Sequence, residues 1–370
     1  MSSNLKTKPR TARVQVKYFH KGKKGNKSAA KMAELESGFT YADIADGGAD
    51  TISIGLINAD MRFFGSWFPK KKDKLKATII SENFIKNGKQ SKMYCGKFCL
   101  DSLTMSGPEL TCTIEGTSVP ENGGFRANSK DVEHKSKTLY ALAKEIAKRH
   151  HMKLVYSGPK QKIKKPKQNN SDCEFLNDLC TAYGFGFKIY AGKIVIYDKT
   201  KREAAKPSRT IKLQDIISWD YTSQICGTYD AAKIKFDNGT KKEKYKDKKT
   251  GKEKEHEVKD TPEITVGKGK RILKVNETAA NRKEARIKAA AAVDRENEKA
   301  VTMHITVMGN TKLRAGKTIR IKNAKNIGGK YFIDRAEHRL DASEGYTTDL
   351  ELHKVQKRLM ASVRGKKKKK

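Results

Sequence analysis

Few folds accommodate the stretch Ser171 to Asp198, SDCEFLNDLCTAYGFGFKIYAGKIVIYD. Ser171 followed three residues later by Glu174 is a capping box, in which each side chain satisfies a free backbone amide at a helix start. Phe175, Leu176, Leu179, Cys180 and Tyr183 then recur at spacings of three and four, the signature of one helical face. Gly184 stands where a helix ends in a left-handed residue, a conformation that costs glycine nothing. Phe185, Phe187 and Ile189 alternate with small or charged residues, and after Ala191-Gly192 the alternation resumes at Ile194 and Ile196. The order is helix, strand, tight turn, strand. Leu179 is expected on the buried face against Phe187 and Ile194, and Asp178, about 100° around the helix, in water.

Most of the remaining chain alternates with a period of two. Val14, Val16 and Tyr18 do so, as do Ile52, Ile54 and Leu56, then Leu75, Ala77 and Ile79, then Leu110, Cys112 and Ile114. Turn residues at Asp46 to Asp50 and Ser106-Gly107-Pro108 punctuate them, a pattern of short strands that indicates a barrel or sandwich. Phe63, Phe64, Trp67 and Pro69 form an aromatic corner. After Pro120, Leu139, Leu142, Ala143, Ile146 and Ala147 make an amphipathic helix ending near His150 and His151, with a strand at Leu154 and Tyr156. Strands return at Ile217, Trp219 and Tyr221, at Ile234 and Phe236, at Val301 to Val307, and at Ile319 to Leu352. An alanine-rich helix is expected from Thr278 to about Lys299. Lys241 to Asp260 reads as a mobile solvated loop or a highly exposed hairpin, and the tail from Lys357 as disordered.

Lys and Arg number 80 against 42 acids, a formal net charge of +38, and the excess lies in more than the tails. Lys21 to Lys31, Lys160 to Lys167 and Lys366 to Lys370 are lysine runs, but most of the excess is spread over the folded body. Such a field favours polyanions, or else simply solubilises the surface. No apolar run is long enough for a transmembrane helix, and the N-terminus lacks the apolar core of a signal peptide, which suggests synthesis and folding in a cytoplasm. Of the six cysteines, Cys95, Cys99 and Cys112 with His134 come nearest to a metal set, yet their spacing matches no zinc pattern, so buried thiols are expected. Adjacent histidines on a helix point about 100° apart and cannot easily serve one site. His150 and His151 therefore read as surface groups favoured by a helix C-terminus, and His304 as an outward-facing strand residue.

Five stretches in this order resemble the phage late control gene D family, the baseplate or tail hub proteins of contractile phages and related injection systems. They are Phe39 to Asp60 with the corner Trp67-Phe68-Pro69, Gly96 to Pro120, Lys137 to Tyr156, the Ser171 to Asp198 unit, and Gly328 to Leu352. The lysine-rich loop, the charged segment 241–260 and the lysine tail depart from the pattern. The resemblance implies a mixed β-rich α+β fold with two β-barrel domains and small α/β elements between them. The expected division is a first barrel over 1–125, an α/β middle region over 126–205, a second barrel over 206–356 with a charged insertion at 241–260, and a basic tail over 357–370. It further implies a non-enzymatic homotrimer that joins a sixfold tail tube to a threefold spike, with tape measure and baseplate wedge proteins as further candidate partners. The place would be the tail baseplate of a virion or tail-like particle, assembled in the bacterial host cytoplasm. No catalytic, cofactor-binding or metal residues are expected, and nucleic-acid contact is at most non-specific. Two alternatives stand beside it. A tail-associated cell-wall hydrolase would need a carboxylate pair or a Cys/His pair; Glu115, Glu121, Asp131 and Glu133 offer carboxylates, which nothing in the sequence pairs. A basic nucleic-acid-binding protein would rest on net charge alone.

Overall fold

The computed structural model describes residues 8–19, 36–65, 68–70, 73–120, 124–224, 226–246 and 253–365. The loop Lys21 to Lys31, Trp67 of the aromatic corner, Glu121, the tip of the charged segment and the terminal lysines lie outside the described residues.

In chain order the first strands are β1 (Thr11–Phe19), β2 (Glu36–Ile44), β3 (Gly48–Ala49), β4 (Thr51–Ile57), β5 (Lys74–Glu82), β6 (Gln90–Ser106) and β7 (Thr111–Thr117). A middle unit follows with α1 (Gly124–Ala127), β8 (Val132–Glu133), α2 (Leu139–Arg149), β9 (Lys153–Ser157), β10 (Lys167–Gln168), α3 (Asp172–Ala182), β11 (Phe185–Tyr190), β12 (Lys193–Asp198) and α4 (Lys199–Ala204). The rest comprises β13 (Arg209–Lys212), β14 (Ile216–Ser223), β15 (Ala231–Phe236), β16 (Thr240–Lys246), β17 (Glu253–Lys259), β18 (Glu263–Gly267), β19 (Ile272–Ala279), α5 (Arg282–Glu298), β20 (Val301–Met308), β21 (Thr318–Lys322), β22 (Gly329–Asp341), β23 (Gly345–Lys354) and α6 (Leu359–Arg364).

The fold is β-rich, as expected, but the described strands close into no barrel. One 12-stranded sheet runs β1-β5-β6-β7-β4-β2-β22-β23-β20-β14, with β21 and β13 branching from β22. The reason lies in β22. Along one edge its first residues pair with β21, from Gly329↔Ile321 to Phe332↔Thr318, and its later ones with β2, from Arg335↔Ile44 to Asp341↔Gly38. A register shift between Ile333 and Arg335 on the β23 side bends the strand there. The expected barrels are therefore opened and joined through a shared strand. The sheet still curls, and β1 approaches β22 within 8 Å, Cα to Cα, without a ladder between them.

Two cores sit inside the curls. One gathers Val14, Val16, Tyr41, Ile54, Leu75, Ile79, Phe98 and Ile114; the other gathers Met303, Ile305, Ile319, Tyr331, Ile333 and Leu350. A third belongs to the middle unit, where α2 and α3 cover a sheet ordered β3-β11-β12-β9. A fourth lies between α5 and the sheet β18-β15-β19.

The Ser171 to Asp198 unit folds as read. Both halves of the capping box are present, Gly184 is left-handed at φ 71°, and Ala191 and Gly192 (φ 49° and 74°) form the turn between β11 and β12. Gly186 faces Tyr197 across that hairpin, and a Cβ there would lie 2.3 Å from the Tyr197 ring. Leu176 is fully buried, whereas Leu179 is only half-buried at the edge of the core.

Two other expectations change. Of the two readings for 241–260, the described residues take the hairpin, β16 against β17 from Thr240↔Lys259 to Lys246↔Glu253. The segment read as a disordered tail contains α6, whose first amides Leu359 N and Met360 N donate to the Asp294 carboxylate at 2.6 and 2.9 Å. Met360 is buried, and Arg364 lies over the Phe185 ring at 4.7 Å. So short a helix forms because α5 supplies its N-terminal acceptor, a partner remote in sequence.

Leu176→Ala is expected to cost about 2–5 kcal/mol, as for a large-to-small change in a core. Leu179→Ala should cost less than Leu176→Ala, and the exposed Asp178→Ala should be near neutral. Urea unfolding of the three variants checks this order, and a costlier Leu179→Ala would contradict the packing.

Candidate functional site

Convergent chemistry in this molecule takes the form of buried ionic junctions where separate chain segments meet. At the first, Lys188 of β11 places its Nζ 2.6 Å from Asp43 Oδ1 and 2.9 Å from Asp50 Oδ1. Asp50, fully buried after β3, also accepts from the Tyr41 hydroxyl (2.9 Å) and Ile44 N (3.2 Å). Asp43 accepts from Ala315 N at 3.2 Å, and the neighbouring Arg314 donates to Tyr94 O at 2.9 Å. Burial pushes the Asp50 carboxyl up to about 6 against the opposing pull of Lys188. One ammonium thus ties β2, the β3–β4 turn and the middle unit, and Asp43 adds the loop that follows β20.

The second junction joins α4, α5, β22, β23 and α6. Glu203 accepts from Arg358 Nε at 2.7 Å and from His353 Nε2 at 3.2 Å, while His353 Nδ1 lies 2.8 Å from Asp334 Oδ2. Arg358 also reaches Glu298 at 2.5 Å, and Lys199 bridges Glu298 and Asp46 at 2.9 and 3.0 Å. Burial alone would lower the His353 imidazolium, but Asp334 and Glu203 hold it up to about 9. The same cations outweigh the burial of Glu203 and bring it down to about 2.

The third junction centres on Asp172, the first residue of α3. Its carboxylate accepts from His150 Nε2 (2.7 Å), Lys130 Nζ (2.5 Å), Arg149 Nη1 (3.0 Å) and Gln168 Nε2 (2.9 Å). Burial would raise it, yet the hydrogen bonds from Lys130, His150 and Gln168 and the Arg149 charge hold it well below the usual carboxylate range. His150 is therefore no surface group. It is buried and edge-on to Phe125, because α2 ends against the N-terminus of α3. Helical spacing alone could not supply that contact.

Other sequence candidates scatter. His151 and His304 are exposed. Cys95 and Cys112 are buried in the first core, and burial pushes their thiols up to about 12 and 11. His134 belongs to the middle unit, stacked on Phe175 with Nε2 2.8 Å from Gln168 Oε1. Among the described residues no three His, Cys, Asp or Glu side chains gather as a metal set. Glu115 accepts from Ser102 Oγ at 2.7 Å on the large sheet, Glu133 faces Lys165 at 3.7 Å, and Asp131 is exposed. Glu115 lies on β7, and Asp131 and Glu133 flank Val132 at β8. Sequence reasoning missed Lys188, Asp172 and His353, whose charged partners are at least 19 residues away in the chain; the one signal was a charged residue inside an apolar strand pattern at Lys188. No helix among the described residues is long and apolar enough to cross a membrane.

A family model described as YQBQ-like matches residues 181–353. The fold is similar to that of a tail protein from Neisseria meningitidis MC58, with a TM-score of 0.62 at 12% identity over 94% of this chain and 98% of that one. It is likewise similar to the 43 kDa tail protein of prophage MuSo2 from Shewanella oneidensis, with a TM-score of 0.63 at 13% identity over 93% and 98%. The E. coli c3393 protein, a component of the type VI secretion system with structural similarity to the T4 bacteriophage tail proteins gp27 and gp5, scores 0.52 at 9% identity over 87% and 74%. No curated protein matches the sequence.

Removing one partner of a buried ion pair strands the other, at about 3–5 kcal/mol. Lys188→Met should cost that much in urea unfolding, and a neutral result would mean the aspartates do not depend on it. His150→Ala should cost about 1–3 kcal/mol through the hydrogen bond lost to the buried, charged Asp172, while His151→Ala and His304→Ala stay near neutral. For His353 the folded value is raised from 6.5 to about 9. Its contribution, about 3 kcal/mol, is complete below pH 6.5 and lost as pH rises through 9. Wild type should therefore lose more stability than His353→Gln between pH 6.5 and 9, below the range where the buried thiols act on both, and parallel profiles would refute the assignment.

Proposed function

We propose that this chain is a structural, non-enzymatic component of a phage tail or tail-like contractile particle, and that it serves as the hub between tail tube and spike. The observation that carries the reading is fold likeness over essentially whole chains to tail proteins from two bacteria, rather than to an isolated domain. The specific hub assignment draws on the ordered resemblance to the late control gene D family. In this reading the chain acts as a homotrimer. Each copy contributes two β-rich modules, over 1–125 and 206–356, spaced by the α/β unit 126–205, so that six related modules meet a sixfold tube while the trimer seats a threefold spike. Tape measure and baseplate wedge proteins are the further neighbours, and the site is the baseplate of the particle.

The chemistry of the molecule agrees with an assembly role. Its buried charges meet partners that fix the packing of segments, and of the described carboxylates weighed for hydrolysis Glu115 and Glu133 face Ser102 and Lys165 on different strands. Particles purified from a producing host should carry three copies per tail by quantitative mass spectrometry, with density for the chain at the tube–spike junction in electron micrographs. One or six copies per tail, or density elsewhere along the tail, would overturn the hub reading.

A further inference from the structure

The outward face of the large sheet is neutralised at β22 and β23 and bare at the β1 end. On β22 and β23, Arg335 and Arg339 flank Glu337 at 2.5 and 2.6 Å and reach Glu351 and Asp349 at 3.6 and 3.5 Å. On β1, β5 and β6 the register places Lys17 directly opposite Lys76, and Lys76 directly opposite Lys97. Neighbouring strands are about 4.8 Å apart, so three like charges stand in one row. Arg13 and Lys92 sit either side of Ile80 in another row, and Lys74 lies beside Phe19 in a third. Arg13, Lys17, Lys92 and Lys97 are exposed.

These six cations form no ion pair with any described residue. The one carboxylate in these rows, Glu82, is at a corner and accepts the Gln90 amide at 2.7 Å. Like charges directly opposite across a ladder are destabilising. The sheet satisfies this constraint with acids at β22 and β23, so an anion from elsewhere is the natural complement at β1, β5 and β6.

We infer that this face binds duplex nucleic acid through its sugar–phosphate backbone, without reading sequence. From Arg13 to Phe19 the strand spans about 20 Å. A duplex presents one negative charge per about 1.7 Å of its axis, a continuous line of anions that a protein surface of mixed charge does not match. A single strand would call for a series of exposed aromatics. Here Tyr94 is exposed, but Phe19 is half-buried with the Lys76 ammonium 5.2 Å over its ring. The inference goes beyond the hub reading and does not rest on it, because the face belongs to a single chain.

The test uses the full chain and a fluorescent 30-base-pair duplex, with anisotropy titrations from 50 to 300 mM NaCl. Lys17→Gln/Lys76→Gln/Lys97→Gln should weaken binding at least about tenfold at low salt and reduce the salt slope by about 2.7, the value for three phosphate contacts. The control Lys241→Gln/Lys242→Gln/Lys244→Gln removes the same charge from lysines that already face Glu243, Glu255 and Glu253 in the hairpin, and should alter both by less than about twofold. Equal losses in the two variants would mean diffuse attraction and overturn the assignment. Polyglutamate of matched charge that displaces the duplex and is equally impaired by the face variant would identify an acidic polypeptide instead. Separately, Lys76→Gln should raise the melting midpoint at 20 mM NaCl and lose that advantage at 500 mM. A lowered midpoint at 20 mM would remove the premise that the row is uncompensated.

Discussion

The Lys188 ammonium held between Asp43 and Asp50 is the contact on which the arrangement of the chain turns. It belongs to a strand of the middle unit, its acceptors belong to the first sheet region, and Asp43 in turn receives an amide from the loop after β20. Desolvating such charges is costly, and a buried ion pair is seldom a large net source of stability. What it provides here is a requirement. Asp50 has its lone pairs taken by Lys188, Tyr41 and Ile44 N, and any other docking of the middle unit would leave a buried carboxylate unmatched. The junction therefore selects one relative placement of three segments from among many of similar apolar burial.

The shared strand acts on the same scale through the backbone. Because β22 serves β21 with its first residues and β2 with its later ones, the two curled regions are one hydrogen-bonded sheet. Neither can turn against the other without breaking ladder bonds. The second junction reinforces this from the opposite side, where Arg358, Glu203, His353 and Glu298 bring α6 and α5 against β23. Stiffness of this kind comes from buried charges that fix how the segments are placed.

The charge of the chain divides along similar lines. Inside, cations and carboxylates are matched closely. Outside, the hairpin β16–β17 pairs its lysines with glutamates across strands, and β22–β23 carries its own acids. The excess remains visible on β1, β5 and β6, where position in the register makes it cumulative. Net charge alone could not distinguish a solvated surface from a binding face; the distinction lies in which lysines lack a neighbour of opposite sign.

The local elements can be read from the sequence because their causes are local. The capping box at Ser171, the glycine at 184, the Ala191-Gly192 turn and the period-two strands each depend on residues within a few positions, and all appear in the folded chain. For 241–260 its charge leaves a loop and a hairpin both open, and the described residues take the hairpin. What depends on distant partners emerges only in the folded chain: the opening of the expected barrels through β22, the ordering of α6 by Asp294, and the burial of His150 against Asp172. Periodicity says which side of a strand or helix is apolar, but not which other element will cover it. A histidine at a helix end reads as a surface group until another helix N-terminus arrives beside it. For the same reason the lysine row was invisible in the sequence, since Lys17, Lys76 and Lys97 become neighbours only when β1, β5 and β6 align in register.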